Sequence, residues 1–213
     1  MENITSIRLR YFPFTGRAQA IRDALNIGKV KFEDDHIPPE QFRERRAAGE
    51  FPFGGLPVLD VETTQGKTCS AQSNAILRFA GRLSGLYPVD DMIQALKVDE
   101  ALDLGEDFNQ LISPSLHEKD EQRKMAMRKE LAEHKLPECA GYFEQLLFDN
   151  GSTGFIVGNT LTIADLKIYW ILDWLTSGML DGIPAELFDP YPNINAWRKN
   201  ITEVRAQLLD AAG

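Results

Sequence analysis

The most constraining feature of this sequence is that the spacing of its apolar residues changes twice near the N-terminus. Residues 4–11 alternate between two kinds of side chain, with Ile7, Leu9 and Tyr11 on one side and Arg8 and Arg10 on the other. This alternation indicates a strand with one buried face. Residues 17–25 follow a helical period, and Val30 and Phe32 alternate again. A strand, a helix and a second strand predict a βαβ unit with parallel strands.

The remainder of the first half continues as a small α/β domain. It is predicted to add a helix at Glu40–Ala48, strands at Leu56–Val61 and Lys67–Cys69 joined by a turn at Gln65-Gly66, and a helix at Asn74–Ala80 ending at Gly81.

Strand patterns nearly disappear after Gly85. The predicted elements of the second half are helices at 91–111, 118–148 (with a bend or break at Pro137), 162–175 and 197–209, the third of them buried. The sequence therefore predicts an α/β domain over residues 1–84 and an all-α domain over residues 85–213.

Composition excludes several classes of function. The 213 residues include 23 Lys and Arg against 32 Asp and Glu, a net charge of −9 that argues against nucleic-acid binding. The two cysteines, Cys69 and Cys139, form neither a disulfide framework nor a CxxC motif, and the three histidines lack metal-ligand spacing. The sequence has no secretory h-region and no membrane-length apolar run. The expectation is a soluble cytoplasmic protein with no metal.

Four short motifs occur in one order along the chain: Tyr11 to Arg17 (YFPFTGR), Pro52 to Pro57 (PFGGLP), Gln72 to Arg78 (QSNAILR) and Thr162 to Asp165 (TIAD). In this order and spacing the chain resembles the tyrosine-type cytosolic glutathione transferases, most closely the sigma class, with a mu-like sequence at Gln72–Arg78. The resemblance covers essentially the whole chain. It implies a thioredoxin-like N-terminal domain that binds glutathione and an all-helical C-terminal domain that carries the electrophile site and dimer contacts.

The resemblance implies that Tyr11 is catalytic. A hydroxyl that donates to sulfur favours the thiolate over the thiol, and the thiolate is the nucleophile. The resemblance makes Arg17 a structural and electrostatic support for the tyrosine. The alternatives from the residues alone are that Tyr11 is a strand-end tyrosine that packs its ring in the core and that Arg17 is a solvated first-turn residue.

Glutathione itself is expected to contact two further segments. Beside Gly55, a proline at position 57 leaves the backbone of Leu56 exposed to pair with the cysteinyl part, as an added strand would. The resemblance places the γ-glutamyl carboxylate at Gln72 and Ser73, where the positive end of a helix attracts an anion. The alternatives are a plain strand-start proline and an ordinary serine N-cap.

The other expected glutathione contacts are Phe12, Phe42, Arg46 and Asp107. Phe42 and Arg46 stand where sigma-class enzymes have a tryptophan and a lysine, and Arg46 is expected to pair with the glycyl carboxylate. Arg43 and Arg45 compete for that role, and a solvated arginine-rich face is the alternative. Asp107 matches an aspartate that reaches the α-amino group of glutathione across the dimer, although Glu106 is adjacent.

Two aromatic features suggest further contacts. Phe12 and Phe14, with residues near Asn109–Ser115, are expected to line a pocket for apolar electrophiles between the domains, unless they are simple core residues. Phe53 is a hypothetical aromatic key that inserts into a partner subunit. Thr162-Ile163-Ala164-Asp165 is interpreted as a structural capping box that starts a helix.

The leading hypothesis is therefore a homodimeric, cytoplasmic glutathione transferase that conjugates the glutathione thiolate to small apolar electrophiles in detoxification. Glutathione is its co-substrate. The alternatives are a non-catalytic ligand-binding or assembly module on the same fold and a glutathione-dependent lipid isomerase. Thiol–disulfide exchange is disfavoured because no cysteine follows the first strand.

Overall fold

The computed structural model describes residues 3–212 and divides into two compact units. The first unit runs to Tyr87 and takes in the chain from Leu208 onward, and the second is Pro88–Gln207. None of the helices within residues 3–212 is long and apolar enough to cross a membrane. Within the same residues no group of His, Cys, Asp or Glu side chains could hold a metal ion.

The first unit contains a four-stranded mixed sheet with the order β2-β1-β3-β4. Strand β1 is parallel to β2 and antiparallel to β3, which pairs with β4 as a hairpin. The parallel pairing of the first two strands confirms the βαβ prediction. The elements of this unit are β1 (Ile4–Tyr11), α1 (Gln19–Ile27), β2 (Glu33–His36), α2 (Pro39–Ala47), β3 (Val58–Thr63), β4 (Gly66–Ala71) and α3 (Ser73–Ser84).

The second strand lies later in the chain than predicted. Pairing with β1 begins at Glu33, opposite Arg8, and not at Val30. The acidic residues are poor strand formers, but two of them meet arginines: Arg8 Nε lies 2.8 Å from Glu33 and Arg22 Nε lies 2.8 Å from Asp34. Contacts from other elements therefore override the local preference.

The prediction that α3 ends at Gly81 is wrong. Gly81 is buried inside the helix, which continues to Ser84. Gly85 ends the helix, with a φ of 75° in the left-handed region that favours glycine.

The second unit is all helical apart from its connections. Its helices are α4 (Met92–His117), α5 (Glu121–Glu130), α6 (Leu136–Asp149), α7 (Ile163–Leu175) and α8 (Pro192–Ala212), the last of which reaches into the residues of the first unit. A π-helical turn at Leu131–Lys135 joins α5 to α6, and the Leu136 N–H bonds to the Leu131 carbonyl five residues earlier. Pro137 has no N–H to continue the α-helical ladder, which gives a physical reason for the predicted break.

Helix α7 is the buried helix that the sequence predicts, and Asp165 fixes its start. The carboxylate of Asp165 is fully buried and accepts hydrogen bonds from the Thr162 N–H at 2.8 Å and the Trp197 Nε1–H at 2.9 Å. It also accepts from the Ile156 N–H at 2.9 Å and the Thr162 hydroxyl at 3.0 Å. One side chain therefore ties the start of α7 to a preceding loop and to α8.

Candidate functional site

The sheet register brings three of the predicted site segments to one edge. Strand β1 pairs Arg10 with Val58 of β3, and β3 pairs Val58 with Ala71 of β4. The next residues outward are Tyr11, Pro57 and Gln72, so these three lie at the same end of three neighbouring strands. Segments far apart in the sequence therefore meet where the strands stop.

Tyr11 is the last residue of β1 and is only 5% exposed. Its hydroxyl oxygen accepts a hydrogen bond from the Arg17 backbone N–H at 3.0 Å. A phenol has one proton to donate as well as lone pairs that accept. Because the Arg17 N–H occupies a lone pair, the hydroxyl proton is available for a separate acceptor.

Burial raises the pKa of the Tyr11 hydroxyl above its ordinary value. The hydrogen bond from the Arg17 N–H and the positive charges of Arg17 and Arg22 oppose that shift. The balance keeps the phenol neutral, and so a proton donor, at neutral pH.

Gly16 leaves the space in which the Tyr11 hydroxyl sits. It has a φ of 45°, and a Cβ at this position would collide with the hydroxyl oxygen. The backbone of the loop after β1 therefore packs directly against the Tyr11 hydroxyl, with no room for a side chain at position 16.

Aromatic rings surround this loop. Phe12 stacks on Phe14 with ring centroids 5.1 Å apart, and it makes an edge contact at 5.2 Å with Phe42. Phe42 in turn stacks at 5.5 Å on the buried Phe51. Phe42 thus packs within an aromatic row, while Phe14 is 52% exposed.

The segment before β3 presents backbone at the same edge. The Leu56–Pro57 peptide bond is cis, and the Leu56 side chain packs against Ile37, Phe51 and Val58. Among residues 3–212, no hydrogen bond engages the backbone N–H or carbonyl of Leu56. Gly55 beside it is half-buried and open on its Cβ side, so a ligand backbone has room to approach.

Helix α3 begins one residue earlier than a serine N-cap would require. Gln72 is the N-cap, with a φ of 75° that is rare for a residue with a side chain, and Ser73 is the first helical residue and is buried. The Gln72 side chain makes no capping hydrogen bond. The reading of Ser73 as an ordinary N-cap is therefore wrong, and its backbone N–H belongs to the first turn of α3, where no carbonyl of the same helix can accept it.

Arg46 on α2 lies beside Gly54, in the loop that precedes Leu56. Its Nε lies 3.2 Å from where a Cβ of residue 54 would be. Arg45 forms an ion pair with Glu50 at 2.7 Å. No ion pair of Arg46 occurs within the described part of the chain.

Asp107 belongs to the second unit. It is exposed on α4, next to the half-buried Glu106. Burial raises the pKa of the Cys139 thiol on α6 to about 12, and the Asp107 carboxylate adds to this shift. Cys139 is therefore a packed thiol and no nucleophile at neutral pH.

Sequence reasoning missed Arg22. It is 7% exposed and donates to the carbonyls of Phe12 at 3.1 Å and Phe14 at 2.9 Å. Its position in the sequence indicated burial. Arg22 lies on α1 four residues after Ala18 and three before Leu25, on the apolar face of the helix. A cation on a buried face needs partners, and that requirement points to a defined role.

Comparison with known proteins identifies the family of the chain. The family model of the glutathione S-transferase C-terminal domain matches residues 106–206. The chain is 30% identical to glutathione S-transferase 3 of Caenorhabditis elegans over 76% of each chain. It is 32% identical to hematopoietic prostaglandin D synthase of Mus musculus over 93% of this chain and 92% of that protein.

The fold is also that of solved members. A sigma class glutathione S-transferase of Fasciola hepatica superposes with a TM-score of 0.81 at 24% identity, covering 98% of this chain and 97% of that one. The predicted fold class, an α/β thioredoxin-like domain followed by an all-α domain, is confirmed. This chain belongs to the glutathione S-transferase family.

Proposed function

We propose that this chain uses the Tyr11 hydroxyl to stabilise the thiolate of glutathione and conjugates that thiolate to small apolar electrophiles. The observation that carries the proposal is the hydrogen bond from the Arg17 N–H, which occupies the hydroxyl as an acceptor and leaves its proton for sulfur. The nearby charges of Arg17 and Arg22 make the phenol a better donor. A sulfur at this position would gain a charge-assisted hydrogen bond.

Glutathione supplies its own nucleophile, and the strand edge offers groups for the rest of the molecule. The open backbone of Leu56 would pair with the cysteinyl residue, as in strand addition. The N-terminus of α3, at Gln72 and Ser73, would hold the γ-glutamyl carboxylate. The half-buried ring of Phe12 and the exposed ring of Phe14, which stack on each other, suit an apolar electrophile beside the thiolate.

Arg46 is our candidate for the glycyl carboxylate. We expect Arg46→Gln to raise the KM for glutathione about 5- to 10-fold with kcat nearly unchanged, because a charged hydrogen bond to the bound ligand is lost. Steady-state kinetics with varied glutathione measures the effect. Arg43→Gln, on the same helix, is the control and should leave KM within twofold. An unchanged KM in the Arg46 variant would assign the carboxylate to another group.

The function is tested by the ultraviolet spectrum of bound glutathione as a function of pH. A thiolate pKa well below that of free glutathione, together with turnover of a model aromatic electrophile, supports the transferase. Binding with an ordinary thiol pKa supports instead a ligand-binding or assembly module. Absence of binding contradicts the glutathione assignment.

A second candidate is a glutathione-dependent lipid isomerase, favoured by the similarity to a hematopoietic prostaglandin D synthase. The two reactions differ in what happens to the thiol. Conjugation consumes one thiol for each product, whereas isomerisation regenerates it. Counting free thiols during turnover of an electrophile and of a lipid peroxide separates them.

We further propose that the protein is a cytoplasmic homodimer that serves in detoxification. Support for the dimer comes from apolar side chains left exposed within each unit: Phe53 is 74% exposed, and on α4 Met92, Ile93 and Leu96 are 85%, 68% and 61% exposed. In such a dimer Asp107 of one subunit would reach the α-amino group of glutathione on the other. Each complete site would then need two subunits.

Phe53 provides the test of the dimer. We expect Phe53→Ala to raise the dimer dissociation constant at least 100-fold, since a two-fold interface uses the ring twice and each burial contributes about 1.5–3 kcal/mol. Sedimentation velocity at micromolar concentration measures the change. Phe148→Ala, a comparably exposed ring on α6, is the control. A Phe53 variant that stays fully dimeric contradicts the aromatic key.

A further inference from the structure

Arg22 holds the loop that follows Tyr11. Its guanidinium donates to the Phe14 carbonyl at 2.9 Å and to the Phe12 carbonyl at 3.1 Å, and its Nε donates to the Asp34 carboxylate of β2 at 2.8 Å. The three bonds use different N–H groups of one planar fork. The Asp34 carboxylate thus holds the Arg22 guanidinium in place, and the guanidinium holds the two loop carbonyls.

Apart from the ring contacts of Phe12 and Phe14, the loop has few internal bonds. Among residues 3–212, no backbone–backbone hydrogen bond joins two residues of the segment 12–15, which is neither strand nor helix. Its carbonyls therefore depend on a side chain where an ordered segment would use the backbone. This loop leads directly into Gly16 and the Arg17 N–H, the group that bonds to the Tyr11 hydroxyl.

We propose that Arg22, anchored by Asp34, is a positioning residue for the Tyr11 hydroxyl: by binding the Phe12 and Phe14 carbonyls it fixes where the Arg17 N–H meets the phenol oxygen. Arg22 touches neither sulfur nor electrophile in this role. Its charge also acts on the phenol, since the guanidinium carbon lies 5.7 Å from the centre of the Tyr11 ring. The inference rests on the proposed role of Tyr11 in the reaction.

The first test concerns the Arg17 amide of the ligand-free protein. We expect Arg22→Gln to speed hydrogen exchange of this amide at least tenfold, since the loop loses its two carbonyl anchors. The matched control is Arg10→Gln. Arg10 is 8% exposed and paired with Asp60, and it neighbours Tyr11 on β1, so its loss tests for general loosening of the sheet. Arg17 exchange should be unchanged in the control.

The second test concerns the reaction. In Arg22→Gln the pKa of bound glutathione should move back towards that of the free thiol, and kcat should fall at least tenfold while the KM for glutathione changes less than twofold. Arg22→Lys keeps the charge but loses the fork. It should recover part of the thiolate shift and leave the Arg17 amide as fast as in Arg22→Gln. If Arg22→Gln does not fold, the lysine variant carries both measurements.

The outcomes separate the two proposals. A folded Arg22→Gln or Arg22→Lys protein with wild-type exchange at Arg17 overturns the positioning role. Equal loosening of Arg17 in Arg10→Gln also overturns it. Faster exchange limited to the Arg22 variants supports the role even if wild type shows no thiolate shift, and in that case it is the proposed function that fails.

Discussion

Replacing Tyr11 by phenylalanine should lower kcat/KM about 10- to 100-fold and return the pKa of bound glutathione close to that of the free thiol. The ring, 5% exposed, stays in place, so the variant removes only the hydroxyl. A hydrogen bond to a charged group is worth about 1.5–3 kcal/mol, and each 1.4 kcal/mol is tenfold in rate. The thiolate fraction at neutral pH falls accordingly, because no hydroxyl remains to donate a hydrogen bond to the thiolate.

The measurement pairs the thiolate absorbance titration with steady-state conjugation rates. Tyr142→Phe is the matched control, since its exposed hydroxyl donates to Glu138 in the same helix. It should keep wild-type kinetics. If Tyr11→Phe retains activity within twofold of wild type, the hydroxyl is not the activating group.

Replacing Asp165 by alanine should cost about 3–5 kcal/mol in the free energy of unfolding. The change leaves the buried N–H groups of Ile156, Thr162 and Trp197 and the hydroxyl of Thr162 without their acceptor. Breaking one side of a buried charged network has this magnitude. The loss is a large share of the about 5–15 kcal/mol that stabilises a typical protein.

Urea denaturation followed by circular dichroism and tryptophan fluorescence measures the loss. Asp173→Ala on the same helix is the control. Asp173 is half-buried near the C-terminus of α7, where a negative charge gains nothing from the helix dipole, so its removal should change stability by less than about 1 kcal/mol. An Asp165 variant as stable as the Asp173 variant would contradict the prediction and show that the four hydrogen bonds add little to the free energy of unfolding.

The sequence predicts those parts of the fold that local patterns determine. Strand β1 has the predicted limits, which rest on the alternation of Ile7, Leu9 and Tyr11 with Arg8 and Arg10, and α7 begins where the capping motif places it. The observed β2 and the observed end of α3 differ from the predicted ones because tertiary contacts override the local pattern. The acidic residues of β2 form ion pairs with arginines on β1 and α1, and Gly81 lies on the buried face of α3.

The candidate site was predictable only in part, for similar reasons. The motifs locate Tyr11, Pro57 and Gln72, but their meeting at one edge follows from the register of β1, β3 and β4, which is a property of paired strands. Arg17 contacts the hydroxyl through its backbone N–H, a group that every residue except proline carries, so residue type alone cannot reveal that contact. Arg22 is marked in the sequence only as a cation on a buried helix face, because its partners, two backbone carbonyls and the Asp34 carboxylate, are set by tertiary structure.

The strand register also indicates where a label can be attached without blocking the candidate site. The turn that joins β3 to β4 lies beyond the Thr63–Gly66 pair, five ladder positions from the Val58–Ala71 pair next to the candidate site. At about 3.4 Å per residue, some 17 Å of sheet separates the turn from that edge. Thr64 and Gln65 are exposed there. A dye or affinity tag placed in this turn would immobilise or report on the protein while leaving the opposite end of the strands open to ligand.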